Sequence, residues 1–258
     1  MTLTKPEVVQ TLYAARQELF DLLDSFEPGT YIEPEPAKTY VRTHSQRYEH
    51  TLFEVASRLE SGDEILDLGS APFCTSHAFH RLGFTVTAAD YKPDDWLDPE
   101  LLPYKVAQVN CDGPALPFDD DSFSAVVFTE IFEHLHVNLN FTMKEILRVL
   151  KPNGFVFLTT PNLKGLRNMI RILKRGKLAS SVYDVWRGVE IGSYLGHVRE
   201  YTAVEISQYL PQCGYDRVEV KTENVYYKQW LESNFWRTVT YPFPHSRETI
   251  VAVAHKAA

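Results

Sequence analysis

Two acidic segments, about twenty residues apart, carry the clearest chemical signal in this chain. In the first, residues 67–71, an apolar run ends in Asp-Leu-Gly-Ser-Ala, which is typical of a turn after a strand. In the second, another apolar run ends in Asp90. This order is typical of the front half of a nucleoside-binding βαβ unit, in which the second acid meets the ribose hydroxyls. We therefore predict that Gly69, Ser70 and Ala71 form a ligand-binding turn and that Asp90 binds a ribose.

The composition of this turn indicates which nucleoside it would bind. A dinucleotide site needs a second glycine where the backbone meets the pyrophosphate and a third where the helix packs on the strand. Here Ala71 takes the second position, and Phe73 or Cys74, depending on the register, takes the third. Asp67 adds a negative charge that would repel a pyrophosphate and attract an ammonium or sulfonium group. S-adenosylmethionine fits these requirements, and we expect Asp67 to help hold its ammonium group.

More candidate residues follow the ends of other apolar runs. Tyr91 is placed to stack on adenine, or to lie at the rim of the site as a plain aromatic residue. Thr129 and Glu130 are expected to line the cofactor. His134 is the leading candidate for a general base, because an unperturbed imidazole accepts a proton near neutral pH; the alternative is that it braces its loop.

We expect no metal among the acidic and histidine residues of this segment. Glu133, His134 and His136 lack the i, i+4 spacing that places two ligands on one helix face.

The elements that must position these residues are read from hydrophobic periodicity and turn residues. Strands are predicted over 64–68, 85–89, 105–109, 123–129 and 154–160, with helices near 75–81 and 139–150. Such alternation implies a parallel sheet. Helices are also predicted over 4–25 and 45–59, with a break at 28–36, and from Thr202, whose capping box with Glu205 starts a helix that runs to Leu210. Residues 162–200 read as less regular, and strands over 216–221 and 248–254 complete the sheet.

Composition excludes several classes of protein. A chain of 258 residues with 44% hydrophobic residues can form one large α/β domain, with or without a cap. Its net charge of −8 argues against a duplex nucleic acid as the main partner. The three cysteines are far apart and form no CxxC pair, which predicts reduced thiols and a cytoplasmic protein. There is no apolar signal core and no run long enough to span a membrane, and a homo-oligomer is left open.

An ordered set of motifs resembles the class I S-adenosylmethionine-dependent methyltransferases, in particular their broad small-molecule group. The motifs are Ala-Leu-Pro-Phe with Asp-Asp-Asp-Ser-Phe (115–123), Glu-Ile-Phe-Glu-His (130–134), Arg-Val-Leu-Lys-Pro-Asn-Gly (148–154), Thr-Pro-Asn (160–162) and Gly-His-Val-Arg-Glu-Tyr-Thr (196–202). The resemblance implies an α/β, Rossmann-like fold: a seven-stranded, mostly parallel sheet with helices on both faces and an N-terminal helical lid. It implies S-adenosyl-L-methionine as methyl donor and leaves the acceptor unnamed.

The resemblance also implies further cofactor contacts. The Asp112 carboxylate would accept the adenine amino group, and the amide of Gly113 would meet a ring nitrogen. The chain departs from the family pattern where Ala71 and Phe73 replace glycines and where Ser124 stands in place of an aspartate. A phenyl ring in the turn must point away from the ligand or pack beneath it.

The acceptor side is less well defined. His197, Arg199 and Tyr201 precede a capped helix and are interpreted as a loop that faces the substrate or covers the cofactor; alternatively, Arg199 and Glu200 brace the cap. Cations and apolar residues alternate at helical spacing over 164–177. This pattern is typical of a basic amphipathic helix, which would meet an anionic membrane surface, a phosphate- or carboxylate-bearing acceptor, or only solvent.

Together these features and the resemblance predict a methyltransferase that acts on a small-molecule or lipid-linked acceptor, with oxygen as the expected acceptor atom. Residues 1–60 are predicted to form an N-terminal helical cap, and residues 61–258 the methyltransferase domain, with a substrate-side insertion at about 163–200. The alternatives are a non-catalytic S-adenosylmethionine-binding or scaffold protein and a nicotinamide-dependent oxidoreductase. The missing glycines argue against the oxidoreductase.

Overall fold

A seven-stranded sheet organises the molecule. The computed structural model describes residues 4–24, 34–177, 180–190, 196–225 and 238–258. The strand order is β3-β2-β1-β4-β5-β7-β6, and β7 runs antiparallel to both of its neighbours while the other pairs are parallel. The strands are β1 (Glu64–Leu68), β2 (Thr85–Asp90), β3 (Lys105–Gln108), β4 (Phe123–Thr129), β5 (Leu150–Pro161), β6 (Val218–Glu223) and β7 (Thr249–His255). The predicted α/β fold, with its mostly parallel seven-stranded sheet, is confirmed.

The central strands are apolar along their length because both of their faces are covered. Four consecutive residues of β1, from Ile65 to Leu68, are buried, and so are four consecutive residues of β4, from Ala125 to Phe128. Parallel strands of this kind have near-continuous hydrophobic sequences rather than alternating ones, since helices pack on each side. Polar residues are therefore expected mainly where a strand ends. They are found at the carboxyl ends of β1, β2 and β4.

Helices cover the two faces in separate groups. On one face lie α1 (Lys5–Asp24), α2 (Pro34–Thr43), α3 (Ser45–Ala56) and α4 (Cys74–Arg81), whose buried residues share a core with one face of the sheet. On the other face lie α5 (Leu139–Val149) and α8 (Ala203–Gln212). The Thr202–Glu205 capping box that the sequence predicted is present at the start of α8.

The N-terminal helices are packed into the core rather than hinged at its edge. Leu12 and Leu19 of α1 are buried in the same cluster as Ile65 of β1 and Phe79 of α4. Glu18 joins α1 to α4 through His77, at 2.9 Å, and through Arg81. A domain boundary near residue 60 stays a prediction.

Two parts of the element prediction were wrong. The break expected at 28–36 includes the first turn of α2, which begins at Pro34, a position where proline is tolerated because its missing N–H has no helical partner; residues 25–33 lie outside the described residues. The segment 162–200, expected to be less regular, contains α7 (Val182–Glu190), which was not predicted, beside α6 (Leu166–Arg175), which the helical spacing over 164–177 indicated. Among the described residues, no helix is both long and apolar enough to cross a membrane.

Candidate functional site

The candidate site lies where the strand order reverses, between β1 and β4. The chain leaves these neighbouring strands in opposite directions across the sheet, and this opens a crevice at their carboxyl ends where ligands bind in open α/β sheets. A cavity of about 200 Å³ occupies this edge. Its lining residues come from the end of β2 and from the loops that follow β1 to β4, and they are Gly69, Asp90, Tyr91, Asn110, Cys111, Asp112, Glu130, Ile131, His134 and Leu135.

Backbone geometry at Gly69 explains the glycine after β1. Gly69 has φ of 81°, which non-glycine residues rarely adopt, and a Cβ there would lie 2.3 Å from Ile131 Cδ1. Its amide and that of Ser70 donate to the carbonyl of Ala89 at 2.8 and 3.1 Å. The turn is therefore fastened to β2, and only glycine allows the loop after β4 to approach it so closely.

The rest of the turn is held by Asp90 and by the core. The amide of Ala71 donates to Asp90 Oδ2 at 3.0 Å, while the Ser70 side chain is buried against Ala89. Phe73, in a left-handed conformation at φ 68°, is fully buried in the core and precedes α4. This position is consistent with the expectation that the Phe73 ring points away from the ligand or packs beneath it.

Asp90 both holds the turn after β1 and faces the cavity. One carboxylate oxygen accepts from Ala71, the other faces the amide of Lys92 at 3.4 Å, and the residue lines the cavity. Burial raises the pKa of Asp90, while the backbone amides lower it. Tyr91 lines the same cavity, and the Lys92 ammonium lies 5.5 Å from the centre of its ring.

Asp67 lies behind the turn, not among the residues that line the cavity. It is 3% exposed and accepts a 2.6 Å hydrogen bond from Ser76 Oγ in α4. Burial raises the pKa of Asp67 to about 7, against the smaller opposing effect of the Ser76 bond. A direct contact between Asp67 and a ligand stays a prediction.

Asp112 ties the loop after β3 to the loop after β4. Its buried carboxylate accepts from the amides of His136, at 2.5 Å, Val137, at 2.9 Å, and Asn138, at 3.3 Å. A ligand amino group would share these oxygens with three backbone donors. Gly113 follows, and its amide donates to the carbonyl of Asn110 at 3.1 Å.

Glu130 turns the chain out of β4. It has φ of 59°, its amide donates to the Thr159 carbonyl at 2.9 Å, and its Oε1 accepts from Thr159 Oγ1 at 2.7 Å. Glu130 lines the cavity, whereas Thr129 pairs with Thr159 in the sheet and is not among the lining residues.

A second cluster adjoins the cavity through His134 and consists of Glu133, His134 and His197. Glu133 Oε1 lies 3.8 Å from His134 Nε2 and 4.0 Å from His197 Nε2. The two imidazole rings meet edge to face, with centroids 5.0 Å apart. Burial raises the pKa of Glu133 well above its ordinary value, and the nearby Glu130 charge adds to this effect.

The backbone explains why His197 reaches Glu133 from so far along the chain. The amide of Val198 donates to the Glu133 carbonyl at 2.8 Å, which holds the loop after residue 196 against the loop after β4. The His197 amide in turn donates to Ser180 Oγ at 2.8 Å. Sequence reasoning grouped Glu133 and His134 with His136 and missed this partner, although the Gly-His-Val-Arg-Glu-Tyr motif marked the loop.

The other two candidate substrate residues lie beside the cap of α8. Arg199 forms an ion pair with Glu205, and its guanidinium lies 4.9 Å from the centre of the Tyr201 ring. The Tyr201 ring packs edge to face on Phe132, at 4.8 Å between centroids. These contacts support the alternative that Arg199 braces the cap of α8. Glu200, in contrast, is buried against His197 and Asn168.

The basic stretch 164–177 contains α6, as its helical spacing predicted. Not all of the apolar side chains of α6 pack against the sheet, since Leu173 is 83% exposed and Met169 is 45% exposed. The neighbouring α7 also exposes apolar side chains, Val182, Tyr183 and Trp186. The two helices thus present cations and apolar groups together at the surface.

Comparisons with known proteins agree with the geometry of the crevice. The methyltransferase domain family matches residues 66–158, which run from β1 into β5 and include the residues that line the cavity. A demethylmenaquinone methyltransferase of Clavibacter sepedonicus is 28% identical over 176 residues, 62% of this chain and 68% of that protein.

Two further relatives extend the comparison. The mitochondrial ubiquinone biosynthesis O-methyltransferase of Rattus norvegicus is 29% identical over 133 residues, 47% of this chain and 37% of that protein. The chain therefore spans well under half of the rat protein. The structure of a 1,6-didemethyltoxoflavin-N1-methyltransferase of Burkholderia thailandensis with bound S-adenosylhomocysteine superposes with a TM-score of 0.55, at 14% identity over 95% of this chain and 89% of that one. At that identity the likeness shows a shared fold.

Proposed function

We propose that this chain, which is a class I S-adenosylmethionine-dependent methyltransferase, transfers the donor's methyl group to an oxygen of a small-molecule or lipid-linked acceptor. The observation that carries the proposal is the continuity between two groups of residues. The 200 Å³ cavity at the β1–β4 crevice suits an adenosine ligand, and His134, at its wall, also belongs to the cluster with Glu133 and His197. A nucleoside site is thus joined to a group of proton-accepting side chains.

Within this proposal the cofactor is held mainly at the ends of β1 to β4. Gly69 lets the backbone approach the methionine part of S-adenosylmethionine, with Ser70 and Ala71 completing the turn. Asp90 accepts from the ribose hydroxyls, as its place on the cavity wall allows. Tyr91 and Gly113 contribute to the adenine pocket, and Glu130 and Thr129 close the site from β4.

Two acidic residues act within the proposal partly through other groups. Asp112 shapes the adenine pocket by holding the amides of residues 136–138. Asp67 holds Ser76 and, with it, the first turn of α4 behind the glycine turn. An additional contact of Asp67 with the ammonium group remains part of the proposal, because a cation nearby would favour the charged carboxylate.

The chemistry needs alignment more than activation. An acceptor oxygen attacks the methyl carbon in line with the carbon–sulfur bond, the new O–C bond forms, and the electron pair of the broken bond returns to sulfur. Because the sulfonium already activates the methyl group, the protein chiefly orients two reactants and excludes water. The acceptor's proton leaves through His134, whose Nδ1 is fixed by a 2.8 Å contact with the Gly196 carbonyl.

The choice of a lipid-linked acceptor has separate support. Both curated relatives are named for menaquinone or ubiquinone pathways, and one is named as an O-methyltransferase. The exposed apolar side chains and cations of α6 and α7 would suit an anionic lipid surface at which such an acceptor is presented. We propose that residues 163–200 form this substrate-side insertion, on a methyltransferase domain that begins near residue 61 in a cytoplasmic protein.

The proposal is tested by methyl transfer from isotope-labelled S-adenosylmethionine to a panel of acceptors. The panel should contain catechols, hydroquinones with and without isoprenoid tails, and amine and carbon acceptors as controls. We expect labelled methyl ethers from the phenolic acceptors, with the highest kcat/KM for those with a tail. Labelled amines, or carbon-methylated rings alone, would contradict the choice of oxygen. Cofactor binding without transfer to any acceptor would favour the non-catalytic alternative.

A further inference from the structure

The cluster of Glu133, His134 and His197 has the composition and spacing of a metal site. One ligand atom from each residue lies within 4.8 Å of the others. A tetrahedral zinc ion with ligands at 2.0–2.1 Å separates those ligands by roughly 3.4 Å. The observed separations of 3.8 and 4.0 Å from Glu133 Oε1 would therefore need to shrink by only about half an ångström. Two imidazoles and one carboxylate form a ligand set that catalytic zinc and non-haem iron sites use.

The two histidines are oriented as metal ligands usually are. His134 Nδ1 lies 2.8 Å from the Gly196 carbonyl, and His197 Nδ1 lies 3.2 Å from Glu200 Oε1. A carbonyl and a carboxylate both accept hydrogen bonds, so each Nδ1 carries a proton, and in the neutral imidazole each Nε2 then presents a lone pair. Both Nε2 atoms face Glu133. This pattern, in which the second ring nitrogen donates to an outer acceptor, fixes the tautomer of ligating histidines.

Glu133 supplies the independent observation. The residue is 1% exposed, and its Oε2 accepts from Thr160 Oγ1 at 2.9 Å. Its Oε1 is buried and, among the described residues, has no hydrogen-bond donor. A buried carboxylate oxygen without a donor is costly, and the two imidazole nitrogens that it faces, at 3.8 and 4.0 Å, are too far away to donate to it. A cation between these three atoms would give Glu133 Oε1 a partner.

We propose that Glu133, His134 and His197 bind a divalent transition-metal ion of the zinc type at the edge of the cofactor cavity. Nitrogen ligands favour such ions over Mg²⁺ and Ca²⁺, which prefer oxygen ligands. Three protein ligands leave a coordination position for a water molecule or an acceptor oxygen, as in catalytic sites. With the ion bound, the Nε2 lone pair of His134 is a metal ligand, so proton transfer to His134 belongs to the metal-free form of the site. The role in acceptor binding rests on the proposed function, whereas binding of the ion does not.

This inference differs from the expectation drawn from the sequence. That expectation considered Glu133 and His134 with His136, whose spacing along the chain does not suit one helix face. In the fold, His136 lies beside Asp112, and His197 from a distant loop takes the third position. Spacing along one segment therefore could not test for a site whose third ligand comes from elsewhere.

Cobalt titration tests the site, because Co²⁺ is bound by similar ligands and is followed by visible absorption. The full chain is first stripped with a chelator, and its Zn²⁺ affinity is then measured by competition with bound Co²⁺. The variants are Glu133→Gln, which keeps an acceptor for Thr160, and His197→Ala, which removes a partly exposed side chain. His245→Ala, an exposed histidine outside the cluster, is the matched control. Calorimetry with S-adenosylmethionine on each protein reports whether it is folded.

We expect one Co²⁺ per wild-type chain, displaced by Zn²⁺, and the same for His245→Ala. Both cluster variants should bind the ion at least about 100-fold more weakly, since loss of outer partners alone costs 10–100-fold. Equal affinity in wild type and both variants, or no binding by a wild-type chain that binds S-adenosylmethionine, would overturn the proposal. Failure of the metal titration with intact cofactor binding leaves the proposed methyl transfer standing, so the two claims fail separately.

Discussion

The candidate cofactor region, residues 64–135, and the segment proposed to face the acceptor, residues 163–200, are built on different principles. In the cofactor region, the candidate residues lie at the end of a strand or in the loop after it, and the parallel sheet brings these ends together. In the proposed acceptor segment, contacts join residues that are far apart in the chain, such as His197 with Glu133 and Asn168 with Glu200. Strand ends are a local property, whereas such pairings depend on the whole fold.

A second cavity makes the contrast concrete. It has a volume of about 460 Å³ and lies between α1, α3 and the ends of β6 and β7, with Lys5, His50, Glu223 and Arg247 in its wall. No single motif marks these residues, because they come from four separate segments. The difference teaches that cofactor chemistry can be inferred from local patterns here, while acceptor chemistry requires the assembled structure.

The largest expected effect is at His134, where the two regions meet. His134→Ala should lower kcat by about 10²–10⁴-fold, the range for loss of a group that handles a proton in the transition state. The dissociation constant for S-adenosylmethionine should change little. His245→Ala is the control for a histidine outside the site, and near-normal turnover of His134→Ala would reduce its role to bracing the loop.

The next effect is a pH dependence of stability at Asp67. Its folded-state pKa of about 7 lies above the ordinary value of 3.8, mainly because of burial; the nearby Asp90 charge raises it further, while Arg47 lowers it. The folded state therefore binds this proton more tightly, and the resulting stabilisation is complete below pH 4 and is lost as the pH rises through 7.

The free energy of unfolding of Asp67→Asn, relative to that of wild type, should therefore rise by about 2–4 kcal/mol as the pH is raised from 4 to 8. Denaturant unfolding without cofactor at several pH values measures this difference. Asp94→Asn, which changes an exposed carboxylate, is the control. A difference between Asp67→Asn and wild type that does not vary with pH would show that folding does not raise the pKa of Asp67.

A smaller effect is expected from Gly69→Ala, which tests the close approach of the two loops. A left-handed alanine costs roughly 1–2 kcal/mol, and displacement of Ile131 adds to it. Gly62→Ala is a matched control, because Gly62 has φ of 93° and nothing within 4 Å of its added Cβ. Unfolding free energies should therefore fall further for Gly69→Ala, which alone should weaken cofactor binding. Equal losses in the two variants would contradict the contact with Ile131.

The last prediction concerns the basic stretch 164–177, whose change should leave stability and cofactor affinity as in wild type. Reversal of Lys174, Arg175 and Lys177 to Glu should weaken binding to anionic vesicles by about 1 kcal/mol for each cation removed, and the wild-type affinity should fall with added salt. Reversal of Lys144 and Arg217, exposed cations outside this stretch, is the control. If wild type does not bind vesicles, or if the two variants bind equally, this surface meets only solvent.

Prediction from sequence succeeded where the physics is local. Hydrophobic runs and turn residues predicted the ranges of β1 and β4 and the cap at Thr202. They also predicted the order of these elements along the chain. The engagement of Asp112 with three amides was missed, because a carboxylate after a strand reads the same whether its partner is a ligand or a distant loop. The alternative prediction that Arg199 and Glu200 brace the cap placed Arg199 correctly, but its ion pair with Glu205 was not predicted. His197 was marked by its motif, but its approach to Glu133 depends on a backbone hydrogen bond between distant loops.

Calorimetry of S-adenosylmethionine with wild type and Asp90→Ala tests the central claim most directly. The claim is that the crevice between β1 and β4 holds the cofactor and that Asp90 binds its ribose. We expect Asp90→Ala to weaken binding by about 1–3 kcal/mol, or roughly five- to 150-fold, and to lower the melting temperature modestly, because the amide of Ala71 loses its acceptor. Asp94→Ala, which removes an exposed carboxylate from the following loop, should bind as wild type does. Equal affinity for S-adenosylmethionine in wild type and Asp90→Ala would contradict the placement of the ribose at this residue.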